Sequence, residues 1–176
     1  TLSGVPSRDV VKQALTALEN LEHRGASGSE PDSGDGAGIL IQVPDALLRR
    51  VSEIELPEPG AYATGIGFFP TDGPTRDLLM AQIDEIARDE EIEILGWRHV
   101  PTDPSLVGVT ARESMPDFWQ IFAVDDRNAT SGLDLDRRVY ALRKRVENGL
   151  GVYFASLSSR TMVYKGMLTT DQLTPF

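Results

Sequence analysis

Ser33-Gly34-Asp35-Gly36-Ala37-Gly38-Ile39-Leu40-Ile41-Gln42-Val43 passes within a few residues from a polar, glycine-rich loop to an apolar, β-branched run. The glycines free the backbone for angles that other residues resist, and short polar residues such as Asp35 tolerate tight turns. The apolar run predicts a buried strand over Ala37 to Val43. Upstream, Ser7 is a good N-cap, Asp9 sits in the first turn, and Val10, Val11, Ala14, Leu15, Leu18 and Leu21 recur at helical spacing. That helix should run to about Glu22 and end in His23-Arg24-Gly25. There Gly25 suits a left-handed cap and Arg24 complements the negative end of the helix dipole. Helix, hinge, tight loop and strand in succession hold the backbone to a demanding path, and such paths tend to border chemistry. The loop is not a dinucleotide fingerprint, because that motif follows a strand and opens a helix, whereas this one precedes a strand.

Further along, Pro44 suits the first turn of a short helix through Val51, and Leu56-Pro57-Glu58-Pro59-Gly60 breaks the chain. Tyr62 to Phe69 has the composition of a strand. Thr75 to Arg88 carries a helical apolar face in Leu78, Leu79, Ile83, Ile86 and Ala87. Ile92 to Val100 predicts a third strand, with Ile92, Ile94 and Gly96 on one side and Glu93, Leu95 and Trp97 on the other. Pro101 to Pro116 has no period and predicts a long ordered loop, and Phe118 to Val124 a fourth strand. Leu135 to Leu150 predicts a long helix with Val139, Leu142, Val146 and Leu150 inward and Arg137, Arg138, Arg143, Lys144 and Arg145 outward. Val152 to Leu157 and Met162 to Lys165 are expected to pair around the Ser158 to Thr161 turn, before a helical turn near Thr170 to Leu173. Helices interrupting strands throughout indicate an α+β or α/β protein and exclude an all-β sandwich.

A chain of 176 residues with 40% hydrophobic and 25% charged residues has room for one domain with a sizeable core. Its 27 acidic against 17 basic residues give a net charge of -10, which argues against nucleic acid or an anionic membrane as partner. The basic helix face is expected to be solvated surface. No run is apolar enough to cross a bilayer, and no leader precedes the first helix, so a cytoplasmic protein is expected. With no cysteine and only His23 and His99, a thiolate zinc site, an iron-sulfur cluster and a histidine-rich metal centre are excluded within these residues.

Four stretches together resemble one family. They are Ala17 to Ala26 around His23-Arg24-Gly25, Ser33 to Leu40, Gly96-Trp97-Arg98-His99-Val100-Pro101, and Ser156-Leu157-Ser158-Ser159-Arg160-Thr161-Met162-Val163-Tyr164-Lys165-Gly166. The chain resembles the N-terminal class II glutamine amidotransferase domain of the glutamate synthase large subunit. The His-Arg-Gly element is shared across class II amidotransferases, and the other three are more particular to glutamate synthases.

The resemblance implies an α+β fold, a four-layer αββα sandwich of the N-terminal nucleophile hydrolase type, here a single partial domain over 1–176, incomplete at both ends. It implies a processed N-terminal cysteine that attacks the glutamine amide with its own α-amino group as base, releasing glutamate and ammonia. In the whole enzyme, the ammonia aminates 2-oxoglutarate reductively in a flavin domain. By the same resemblance, the cysteine precedes the counterpart of Thr1. The carboxylate-clamping arginine and the oxyanion-hole Asn-Gly pair follow the counterpart of Phe176, so this chain alone is expected to be inactive. Arg24 and Gly25 would form the wall of the substrate pocket, while Gly34, Asp35, Gly36 and Gly38 would form a structural loop beside it. No metal site and no cofactor are expected in this chain, with FMN and an iron-sulfur cluster in the parent enzyme. The implied partners are glutamine, the remaining domains of the large subunit, and a reductase subunit or ferredoxin. A plastid location is implied if the source is a photosynthetic eukaryote. The alternative is a non-catalytic binding or scaffold module that keeps the fold.

Overall fold

A computed structural model describes residues 5, 7–24, 34, 36–127 and 129–173. In chain order, the elements are α1 (Arg8–Asn20), β1 (Ala37–Gln42), α2 (Asp45–Val51), β2 (Ala63–Phe69), α3 (Gly73–Asp89), β3 (Ile92–His99), α4 (Val109–Glu113), β4 (Asp117–Asp125), α5 (Gly132–Leu150), β5 (Tyr153–Phe154) and β6 (Thr161–Gly166). Short 3-10 turns occupy Glu22–Arg24, Pro104–Leu106 and Asp171–Leu173. The chain divides into two compact units, one of Thr1–Gly38, Asp103–Met115 and Lys165–Phe176, the other of Ile39–Thr102 and Pro116–Tyr164.

The larger unit is built on an antiparallel sheet in the order β3-β4-β2-β5. Alternation along β4 decides its two faces. Ile121 and Ala123 point to one side, where they meet Ile83 and Ala87 of α3 and Leu135, Val139, Leu142 and Val146 of α5. Phe122 and Val124 point to the other, where they meet Leu48 of α2, Leu56 and Tyr62. Full burial of each such aliphatic or aromatic side chain contributes about 1.5–3 kcal/mol relative to exposure. The helix faces expected for α3 and α5 hold this core, except that Leu78 of α3 is 60% exposed and lies off it. α3 also begins as its sequence suggests, with the Asp72 carboxylate accepting from Thr75 N at 2.9 Å and a proline in the first turn.

β1 and β6 form a second, two-stranded sheet. Fully buried Met162 on β6 lies 3.8 Å through its sulfur from Nε2 of Gln120 on β4. Helices, sheet and second sheet thus succeed one another, as expected for an α+β sandwich.

The structure corrects several details. β1 is not a buried strand: its exposure alternates, with Ala37 8% and Leu40 65% exposed. Alternate side chains of a strand point to opposite faces of its sheet, so a period-two exposure means that one face is left uncovered, which an apolar run alone does not reveal. β3 does not alternate throughout. Ile94 pairs with Ala123 and Gly96 with Phe122, so Leu95 is a bulge residue that resets the parity. Trp97 thereby joins Ile92 and Ile94 on the helix side, while Leu95 packs with the Phe122 cluster. The segments expected to form a hairpin around Ser158 to Thr161 do not pair with each other. β5 pairs with β2, Thr64 bridges to Ser158, and β6 crosses to the second sheet. The long loop from Pro101 to Pro116 contains α4 and a 3-10 turn whose cap is Asp103 Oδ1, accepting from Ser105 N at 3.0 Å.

In the smaller unit, α1 forms where its spacing predicts, capped by Ser7 Oγ accepting from Asp9 N at 3.2 Å, yet none of its residues is buried.

Candidate functional site

The residues singled out from the sequence fall in the smaller unit. α1 ends at Leu21, whose N–H returns to the Leu18 carbonyl at 3.0 Å, and the chain then tightens into the 3-10 turn Glu22–Arg24. This places the Arg24 backbone at the end of a tightened helix. Gly25 and Asp35 lie outside the described residues, as does the Arg24 side chain.

Gly34 is buried against the segment that follows β6. A Cβ built there would stand 2.3 Å from the Leu168 carbonyl oxygen and 2.9 Å from Thr169 N, so only glycine admits this approach of two backbones. Gly36 has φ +123°, a conformation costly for any side chain, and a Cβ there would touch the Gly166 oxygen at 3.4 Å. Gly38 follows within β1 and is exposed. The loop's opposite side is itself braced: Thr169 N donates to Gln172 Oε1 at 2.9 Å and Thr169 Oγ1 to Asp171 Oδ1 at 2.6 Å. The hydroxyl bond holds the Asp171 carboxyl below its usual range. Of the expected structural loop Gly34, Asp35, Gly36 and Gly38, the residues Gly34 and Gly36 are the ones that approach 166–169.

Two polar constructions in the larger unit were not assigned from the sequence. The first is the crossover from β5 to β6. Asp136 Oδ1 on α5 accepts from Ser159 N at 2.6 Å, Ser159 Oγ at 2.9 Å and Ser158 Oγ at 3.1 Å. Ser158 Oγ in turn accepts from the N–H groups of Arg160 and Thr161, and Ser156 Oγ from Val163 N at 2.9 Å. The serines of Ser156-Leu157-Ser158-Ser159 are the sequence signal, since hydroxyls that cap free backbone groups are what a sharp crossing needs. Arg160, for which no sharp role followed from sequence, contributes through its backbone, its carbonyl accepting from Val43 N at 3.0 Å. The second construction is the row Arg98, Gln120 and Thr64, with Arg98 Nη1 donating to Gln120 Oε1 at 3.0 Å and Gln120 Nε2 to Thr64 Oγ1 at 3.0 Å.

His99 lies at the end of β3 in the larger unit. Its Nε2 is 2.9 Å from Asp117 Oδ1, and Arg76 Nη1 and Trp119 Nε1 donate to Asp117 Oδ2 at 3.1 and 2.7 Å. Burial pushes the Asp117 carboxyl up, but the bonds from Trp119, His99 and Arg76 outweigh it and hold the group below its usual range. Trp97 and Trp119 are partly buried side chains packed against the core.

The basic face of α5 is neutralised from within. Arg137 pairs with Asp134, Arg138 with Glu91, Arg143 and Lys144 with Glu147, and Arg145 with Asp89 and Glu90. Such a surface offers little net positive field to a phosphate backbone. Among the described residues, no cluster of three or more His, Asp or Glu side chains is arranged to hold a metal, and no helix is long and apolar enough to cross a membrane.

Comparison with known proteins places the whole arrangement. The family model for class II glutamine amidotransferases matches residues 1–176. The chain belongs to this family. The chain is similar along nearly its whole length to glutamate synthases. It is 42% identical over 181 residues to the glutamate synthase [NADPH] large chain of Bacillus subtilis, covering 99% of this chain and 12% of that protein. It is 39% identical to ferredoxin-dependent glutamate synthase 1, chloroplastic/mitochondrial, of Arabidopsis thaliana, covering 98% of this chain and 11% of the relative. To ferredoxin-dependent glutamate synthase 2 of Synechocystis it is 37% identical, covering 99% and 12%. The chain therefore spans 11–12% of the length of these relatives.

Proposed function

We propose that these residues are part of the glutaminase domain of a glutamate synthase large subunit, a single partial domain over 1–176 within a longer polypeptide. The observation that carries this reading is the similarity to glutamate synthases from a bacterium, a cyanobacterium and a plant over 98–99% of the chain. In this role, the domain hydrolyses glutamine to glutamate and ammonia, and the ammonia serves reductive amination of 2-oxoglutarate elsewhere in the polypeptide. Arg24 and Gly25 form part of the pocket wall. Gly34, Asp35, Gly36 and Gly38 support it from behind, a division favoured by the close backbone approach at Gly34 and the left-handed angle at Gly36.

The chain holds no cysteine, so the nucleophile of the proposed reaction comes from outside these residues. FMN and an iron-sulfur cluster would supply the redox chemistry of the whole enzyme. These residues do not fit the cluster, which needs thiolate ligands, and we assign both groups to the rest of the polypeptide. Either a reductase subunit or ferredoxin would bring electrons; the relatives' names give NADPH for one of those proteins and ferredoxin for another. The location follows the source, cytoplasmic in a bacterium and plastid in a photosynthetic eukaryote.

Ammonia release tests the reading directly. The complete polypeptide should liberate ammonia from glutamine, and the 176-residue chain alone should release none above background. In the complete enzyme, Arg24→Ala should lower glutamine hydrolysis at least tenfold while ammonia-dependent glutamate formation stays near wild type, since positioning losses at a pocket wall typically cost about tenfold to a hundredfold. Equal losses in both activities would remove Arg24 from the pocket. Glutamine binding without hydrolysis by the complete polypeptide would instead favour the scaffold alternative.

A further inference from the structure

The stretches around Trp97-Arg98 and around Met162-Val163-Tyr164 meet at Gln120. Arg98 is half-buried and, among the described residues, no carboxylate pairs with it. Its Nε donates to the Val51 carbonyl at the end of α2 at 3.2 Å, and its Nη1 to Gln120 Oε1 at 3.0 Å. Gln120 is 1% exposed, so its amide has no water to satisfy it and its orientation is decided by neighbours. With Oε1 taken by the guanidinium, Nε2 must face the other way. It donates to Thr64 Oγ1 at 3.0 Å and lies 3.8 Å from the Met162 sulfur. Thr64 Oγ1 in turn donates to the Ile121 carbonyl at 2.8 Å. The row is thus a directed chain of donors from guanidinium to amide to hydroxyl to backbone. Flipping the amide would set N–H against N–H at Arg98.

On the far side of this row runs β6, which has one strand neighbour in its sheet. Met162 is fully buried beside Gln120, and Tyr164 lies within the electrostatic reach of Arg98. Burial pushes the Tyr164 phenol up, and the Arg98 charge offsets part of that rise. β6 then continues to Gly166, the residue whose carbonyl oxygen Gly36 approaches.

We propose that Arg98 is a positioning residue for β6: by orienting the Gln120 amide it fixes Met162, and with it the strand that ends beside the glycine loop. A planar guanidinium is required, because it bridges Val51 and Gln120 in one fixed plane, which an ammonium cannot do. The catalytic consequence rests on the glutaminase reading above, whereas the structural one does not.

The test has two arms. In the 176-residue chain, hydrogen exchange at the amides of β6 in Arg98→Met should quicken about tenfold while α5 keeps wild-type protection, the pattern of a local opening. Arg98→Lys should resemble Arg98→Met. Gln120→Glu is a second variant that retains a partner for Arg98 but cannot donate to Thr64, and it should quicken β6 in the same way. Unchanged β6 exchange, rescue by lysine, or equal acceleration in α5 and β6 would overturn the proposal. In the complete enzyme, Arg98→Met should raise KM for glutamine about tenfold with kcat within about twofold and the ammonia-dependent rate unchanged. Unaltered KM would overturn the catalytic consequence. A wild-type complete enzyme that releases no ammonia from glutamine would overturn the glutaminase reading alone, leaving the exchange result to decide the role of Arg98.

Discussion

α5 and α1 are both amphipathic by sequence, and they end in opposite circumstances. α5 buries Leu135, Val139, Leu142 and Val146 against the central sheet and ties its charged face into ion pairs, while α1 carries an apolar face with no buried residue. The stability of the larger unit is therefore held by packing that is complete within this chain. The segments singled out for function sit with α1, where the constraint comes from backbone geometry at the glycines rather than from side-chain burial. Evolution can tune a pocket wall more readily where few core contacts depend on it, which is the usual division between scaffold and site.

The sharpest break of this comparison is Leu142→Ala. The residue is 0% exposed, and cavity formation at such sites costs about 2–5 kcal/mol, measurable as a lowered midpoint in chemical denaturation. Gly34→Ala comes next. Its Cβ would collide with the Leu168 carbonyl, and forcing the two backbones apart should cost about 1–3 kcal/mol locally, read as faster hydrogen exchange in residues 166–173 with α5 protection unchanged. Asp117→Asn should be milder, about 1 kcal/mol at neutral pH, because three donors lose a charged acceptor that remains partly exposed to solvent. The sign in pH follows from the depressed folded-state value. The Asp117 contribution is complete above the unfolded value of 3.8 and is lost as pH falls below it through the folded value, so wild type and Asp117→Asn should converge in strongly acidic buffer. Smallest of all, Val10→Ala on α1 should change stability by no more than about 0.5 kcal/mol, because Val10 is 41% exposed. A large effect there would show that α1 is held more firmly than the described contacts indicate.

Much of the fold was legible because its signals are local. The Ser7 cap of α1, the apolar period of α3 and α5, and the apolar run of β4 each state their structure within a few residues. The misreadings share a different cause. A bulge at Leu95 is a property of two paired strands, so nothing in Ile92 to Val100 alone announces that Trp97 will turn to the helix side. The run from Val152 to Lys165 has the composition of a hairpin. Its turn, however, is bound to Asp136 on α5 and to Thr64 on β2, partners that lie far off in sequence and draw its two halves into different sheets. Leu40 looks like core and is 65% exposed, because burial depends on which strands lie beside β1.

The candidate site divides along the same line. Its glycines were legible as glycines, and the motifs around them carried the family, since a sequence can display the residues that permit an unusual backbone path. What those glycines are for emerged only when 166–169 came against Gly34 and Gly36. The directed row from Arg98 through Gln120 to Thr64 likewise joins residues of three different strands. The sequence by itself determined most of the element types, the inward faces of α3 and α5, and the family, all of which rest on local pattern and composition. Tertiary structure alone decided the parity of β3, the crossing of β6 and the orientation of a buried amide, because each is set by contacts between segments whose separation along the chain leaves no local trace.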